Sequence, residues 1–240
     1  AVRRGASVVV ATDVRAPSDV AAAVAAAGAD PVRVDARTLD VGDRDAVLAL
    51  VADVTDRHGP VDVCCANAGV GTLVGVVDGP VAAWRRAWDV NVMGQVNLAA
   101  AVLPAMRARG RGGLLLTASA AGLLSLPGDA PYAVTKHASV ALAEWLALTH
   151  GPEGIAVTAL CPLGVETPLL DHDAVATRFV RASGPAVGPE VAAAVGLDAL
   201  ARAELLALPH PEVAAMEAAR VADRPAWFAR MRTAVARLGS

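Results

Sequence analysis

Aromatic side chains are nearly missing from this sequence: one tyrosine, two phenylalanines and four tryptophans make up 3% of 240 residues. Few rings are therefore available to stack on bases, and there is no basic block to track a phosphate backbone. The 21 basic residues are outnumbered by 24 acidic ones, for a net charge of −3, so nucleic acid is not an expected partner. Long hydrophobic runs are lacking too. Every apolar stretch is broken by charge, glycine or proline before it could cross a bilayer, so no membrane partner is expected. No secretory signal pattern stands at the start, and the expected location is cytoplasmic. Cysteine is confined to Cys64, Cys65 and Cys161. Neighbouring cysteines on a strand point to opposite faces and are poorly placed to pair, so all three read as small buried hydrophobes in a reducing compartment. The three cysteines and five histidines show no ligand spacing, and no metal is expected. His58, His137, His150, His172 and His210 read as cap, surface or loop histidines.

What is present is apolar and regular. The chain is 55% hydrophobic and 19% charged, enough for one α/β domain with a sizeable core. Strands are expected at Val8 to Thr12, Pro31 to Val34, Val61 to Ala66, Leu114 to Thr117 and Ile155 to Leu160. Helices are expected at Ser18 to Ala27, Asp43 to His58, Pro80 to Val90, Val92 to Arg109, Tyr132 to Thr149, Pro189 to Leu200 and Ala222 to Leu238. The strands lack strict alternation, so both sheet faces should be covered. This predicts a doubly wound parallel sheet with helices on both sides. Right-handed crossovers would then bring the carboxyl ends of the strands to one ligand-binding edge. The whole chain, 1–240, reads as a single domain. The stretch 168–189 has no clear period and reads as a lid over that edge.

Four polar side chains fall near the same edge: Asn91, Ser119, Tyr132 and Lys136. Tyr132 is the only tyrosine, and Lys136 follows it by four residues, on the same helical face. A phenol titrates near ~10, and a neighbouring ammonium is expected to lower that value. Such a tyrosine could give a proton to a carbonyl oxygen, or take one from an alcohol. Ser119 could hold the same oxygen, and Asn91 could anchor a water beside Lys136.

These residues, with others in order along the chain, resemble the short-chain dehydrogenase/reductase family. Ser119 precedes Tyr132 by 13 residues, the spacing of that family's serine and Tyr-x-x-x-Lys pair. Asn91 corresponds to the asparagine of its catalytic tetrad, and Asn67, Ala68 and Gly69 match its Asn-Ala-Gly turn. Asp40 and Val41 look like the pair that contacts adenine. The segment from Pro162 to Thr167 looks like the one lining the nicotinamide, with Val165 and Thr167 as contacts. Leu163 stands where the family usually has glycine. The resemblance implies a Rossmann-like fold, an oxidoreductase using NAD or NADP, and a homo-oligomer, commonly a tetramer. Asp13, after the second family strand, would hold the ribose hydroxyls and favour NAD, with NADP possible.

The family's glycine-rich phosphate loop is absent from the sequence as given. Arg3 to Ala6 reads as the end of the family's first helix and Val8 to Thr12 as its second strand. About thirty residues would then be lacking at the N-terminus, first strand included, by comparison with the dinucleotide-binding pattern. A second register makes Asp13 to Ser18 the phosphate loop, though it has no glycine. The expectation is poor dinucleotide binding by this stretch alone. The expected substrate is an apolar secondary alcohol or its ketone, beside a wall including Leu123, Leu126, Leu163, Leu169, Phe179 and Val180. An epimerase or dehydratase, and an inactive scaffold that kept the fold, are the alternative functions.

Overall fold

The computed structural model describes residues 5–15 and 33–238. The helix expected at Ser18 to Ala27 lies outside the described residues. Six strands are present among those described, all in parallel pairings. β1 (Val8–Asp13) pairs with β2 (Arg33–Thr38), and β3 (Val63–Ala66), β4 (Gly112–Thr117), β5 (Ile155–Leu160) and β6 (Leu206–Ala207) form a second sheet in that order. No ladder joins β1 to β3 among the described residues. The second strand lies at Arg33–Thr38, later than expected from Pro31 to Val34.

β4 and β5 account for the core. Side chains alternate across a strand, so Leu114 and Leu116 of β4 face one layer while Leu115 faces the other. Leu114 and Leu116 meet Val157, Val102 and Met106 of α3 (Gly94–Arg109), and Val140 and Leu146 of α5 (Ala130–His150). Leu115 and Leu160 meet Ala199 and Leu200 of α7 (Pro189–Ala201). Each of these leucines contributes on the order of 2 kcal/mol through burial. Strands with both faces covered give the continuous apolar runs seen in the sequence.

α1 (Arg44–His58) begins where Asp43 accepts the Ala46 N–H at 3.0 Å and ends at Gly59, φ 88°. This is an ordinary side-chain cap at one end and, at the other, a glycine at positive φ that other residues rarely adopt. α2 (Val81–Trp88) runs through one wide π turn, Asp89–Met93, into α3. α4 (Ala121–Leu124) packs closely on α5: a Cβ on Gly122 would press into the Lys136 carbonyl. The expected lid contains a 3₁₀ turn, Pro168–Leu170, and α6 (Val175–Ser183). The C-terminal segment holds two helices where one was expected. α8 (Glu212–Ala222) stops at Asp223, whose carboxylate caps α9 (Arg224–Leu238) by accepting the Ala226 N–H at 2.9 Å. No helix among the described residues is long and apolar enough to cross a membrane.

The cysteines divide. Cys161 is fully buried and its thiol is pushed up to about 12 by burial. Cys65, expected to be buried, is exposed.

Candidate active site

The carboxyl ends of β1, β3, β4 and β5 open on one cavity of about 1460 Å³. That exceeds the several hundred Å³ of an ordinary small-molecule pocket and suits a long ligand with a second one beside it. Asp13, Asn67, Ala68 and Gly69 line it, with Ser119, Tyr132 and Lys136, and then Pro162, Val165 and Thr167. Asn91 is fully buried behind this wall. Asp40 and Val41 are not among the lining residues. Asp40 is exposed and accepts the Gly42 N–H at 2.8 Å. Val41 is 7% exposed, packs with Leu39 and Val47, and gives its carbonyl to Asn97 at 2.9 Å.

Each polar group is held from several sides. Ser119 follows β4, where its hydroxyl donates to the Pro162 carbonyl at 3.4 Å and accepts the Ala121 N–H at 3.1 Å. Tyr132 and Lys136 project from the first turns of α5, which Asp129 caps by accepting the Tyr132 N–H at 3.1 Å. The same carboxylate, 2% exposed, accepts the Thr72 N–H at 2.7 Å, the Thr72 hydroxyl at 2.6 Å and the Leu73 N–H at 2.8 Å. It therefore fastens the loop after β3 to the tyrosine's helix. The spacing of Ser119, Tyr132 and Lys136 gave no hint of Asp129. The Asp-x-Pro pattern before the tyrosine, a cap with proline in the first turn, was the available signal.

Lys136 donates to the Thr117 carbonyl at 2.7 Å and lies 5.4 Å from the Tyr132 ring centre. Gly69 lies against it: a Cβ there would stand 3.4 Å from Lys136 Nζ and 3.5 Å from Asn91 Oδ1. Asn91 sits on the π turn, accepts the Val70 N–H at 2.8 Å, and donates to the Val70 carbonyl and the Thr135 hydroxyl, both at 3.0 Å.

The electrostatics differ from the sequence expectation. Burial raises the Tyr132 phenol above its ordinary value. Ser119 pulls it down, while the charges of Asp129 and Cys161 push it further up. The Lys136 ammonium is itself destabilised by burial, which brings its pKa down to about 8. For both groups desolvation is the largest cause of the shift.

The far wall of the cavity is apolar and partly formed by residues that the sequence reading missed. Leu126, Leu163 and Phe179 are joined there by Trp227, Met231 and Val235 of α9. Their spacing of four residues puts all three on one helical face.

Parallel strands with serine, tyrosine and lysine converging at their carboxyl ends define a Rossmann-like class of fold and site. The chain matches the short chain dehydrogenase family over residues 1–176, and it belongs to that family. An uncharacterized NAD-dependent oxidoreductase of Mycobacterium tuberculosis is 36% identical over 170 residues, 69% of this chain and 61% of that protein. The chain thus spans about three-fifths of that relative. Among solved structures, a short-chain dehydrogenase from Streptomyces avermitilis superposes with TM-score 0.78 at 26% identity, over 100% of this chain and 92% of that one. A short chain dehydrogenase/reductase from Burkholderia phymatum, solved in complex with NAD, gives TM-score 0.77 at 28% identity, covering 89% and 84%.

Proposed function

We propose that this protein is an NAD(P)-dependent oxidoreductase interconverting an apolar secondary alcohol and its ketone. The observation that carries the reading is the convergence of Ser119, Tyr132 and Lys136 on a cavity whose far wall is apolar.

The residues present fit a nicotinamide dinucleotide. Gly69 leaves an open approach beside Lys136. Asp13, with a half-exposed side chain at the end of β1, offers carboxylate oxygens to ribose hydroxyls and repels an added phosphate. This favours NAD, as do a relative named NAD-dependent and a related structure solved with NAD. NADP is the alternative. The cofactor would supply or accept the hydride at the carbon bearing the substrate oxygen.

The chain's own residues handle the proton. Ser119 holds the substrate oxygen by hydrogen bond. Tyr132, which burial keeps in the phenol form by raising its pKa further above the ordinary value, donates its proton to that oxygen as the carbonyl is reduced. In the reverse direction it takes the alcohol proton, so oxidation should speed up as pH rises. Lys136 has one N–H on the Thr117 carbonyl and two left for a ribose hydroxyl and for resupplying Tyr132. Asn91 braces the loop after β3 beside that path. Water is kept from the reacting carbon by the leucines and by Trp227.

We also infer a homo-oligomer, supported by the exposed Trp145 and Leu148 on α5.

The test is cofactor oxidation by the full-length protein, with cyclohexanone and acetophenone as probes. The expected result is turnover with NADH above NADPH. No calorimetric binding of either cofactor, together with no turnover in either direction, would contradict the reading.

A further inference from the structure

His210 was expected to be a cap, surface or loop residue, yet it is 3% exposed. It stands between Pro209 and Pro211, which narrow its backbone freedom, in the turn from β6 into α8. Both ring nitrogens meet backbone groups of distant segments. The Leu163 N–H donates to Nδ1 at 3.2 Å, and Nε2 lies 3.1 Å from the Pro185 carbonyl. A backbone N–H can only donate and a carbonyl can only accept. The ring is therefore neutral, with its proton on Nε2 and its lone pair on Nδ1.

The partner on the Nδ1 side matters. Leu163 N–H and the Pro162 carbonyl belong to the same peptide unit. The carbonyl end of that unit accepts the Ala120 N–H at 2.8 Å and the Ser119 hydroxyl at 3.4 Å. A hydrogen-bonded chain thus runs from the imidazole through one peptide plane to Ser119, and each bond polarises the next. The last bond is long, so the hydroxyl is positioned yet free to turn to an incoming oxygen. On the other side, Pro185 follows α6, the helix of the lid, by two residues. Val187 N–H donates to the Gly164 carbonyl at 3.0 Å, and Glu166 N–H to the Val187 carbonyl at 3.0 Å. The lid's exit and the cavity's floor therefore share one short ladder, with His210 at its head.

We propose that His210 is a positioning residue: its neutral imidazole fixes the Pro162–Leu163 peptide and through it Ser119, and fastens the exit of the lid to the same peptide. The proposal rests on the reading of Ser119 as the group that holds the substrate oxygen.

The test uses the full-length protein with ¹⁵N-labelled histidine and backbone. At pH 7.5 the His210 ring should be the neutral tautomer protonated on Nε2. In His210→Leu the Leu163 and Ala120 amide signals should both move from their wild-type positions. A proton on Nδ1 at pH 7.5, or Leu163 and Ala120 amides that stay still in His210→Leu, would overturn the proposal. Turnover of cyclohexanone with NADH supplies the second arm. His210→Leu, which removes both bonds, should lower kcat roughly tenfold or more and leave the cofactor KM within about twofold. His210→Gln, whose amide can accept and donate, should recover kcat to within about threefold. A folded His210→Leu variant with wild-type kcat would contradict the proposal. Absence of turnover in the wild type would count against the proposed function, while the spectra still decide the role of His210.

Discussion

The two sheets of this molecule are built to different standards. In the β3–β6 sheet, the central strands β4 and β5 are buried along most of their length. The chemical groups hang from its ends: Ser119 after β4 and the Pro162–Thr167 segment after β5, with Tyr132 and Lys136 on the helix packed against it. In the β1–β2 sheet, no residue of β1 is fully buried, and Asp13 and Thr12 are exposed. That sheet is fastened to the rest through the loop after β2. There Leu39, Val41 and Val47 form a small core, and Asn97 donates to the Val41 carbonyl. β3 sits between the two standards: it pairs with β4 yet leaves Val63 47% exposed. The difference teaches that, on the proposed reading, proton transfer falls to groups fixed from several sides and the choice between cofactors to an exposed carboxylate in thinner packing.

The largest expected effect lies in the well-packed half. Tyr132→Phe should lower turnover by about 10³-fold while leaving thermal unfolding nearly unchanged, since a phenyl ring fills the same space and only the proton donor is lost. Steady-state kinetics and a melting curve check both parts. Stability should show the contrast next. Leu116→Ala in β4 should cost about 3 kcal/mol in urea unfolding, and Val9→Ala in β1 about 1 kcal/mol or less. Equal costs would break the comparison.

Lys136 gives a prediction of opposite sign. It is the chain's only lysine and is 2% exposed. Its ordinary value of 10.5 falls to about 8 in the fold, so between those two pH values the folded chain binds fewer protons than the unfolded chain. Stability should therefore rise with pH across that window, the penalty being full below it. Replacing the ammonium with an apolar side chain removes the penalty and forfeits one hydrogen bond. Lys136→Met should thus abolish turnover and raise stability by about 2 kcal/mol at neutral pH, with the gain fading as the pH approaches 10.5. The smallest effect belongs to the exposed half. Asp13→Asn should weaken the preference for NADH over NADPH by less than about tenfold, because a half-exposed charge is screened by solvent. Comparing kcat/KM for the two cofactors reads it directly.

Much of this was legible from residue order. α1 was readable from Asp43 and Gly59, and β5 coincides with Ile155–Leu160 as expected. In each, a local signal and the tertiary role agree. The spacing of Ser119, Tyr132 and Lys136 pointed to a shared site for a similar reason: strand end and helix start meet at one sheet edge. Features decided by contacts far apart in sequence were not legible. Nothing local marks Asp89–Met93 as a wide turn, or makes a strand of Leu206 and Ala207 alone. Val41 follows a strand end near the ligand edge, yet it turns into the core against Gly94. The upward shift of Tyr132 comes from desolvation, which spacing cannot reveal. His210 looked like a loop histidine because its partners, Leu163 and Pro185, lie 47 and 25 residues away.

The central claim is that Tyr132 moves a proton in step with hydride transfer to a carbon held over the β3–β6 sheet. It is tested most directly with NADH deuterated at the carbon that gives up the hydride, with cyclohexanone as acceptor, in the wild-type protein and in Tyr132→Phe. The account predicts deuterium on the carbinol carbon of cyclohexanol with the wild type, and loss of about 10³-fold in that transfer with the variant. Transfer by Tyr132→Phe at the wild-type rate would contradict it.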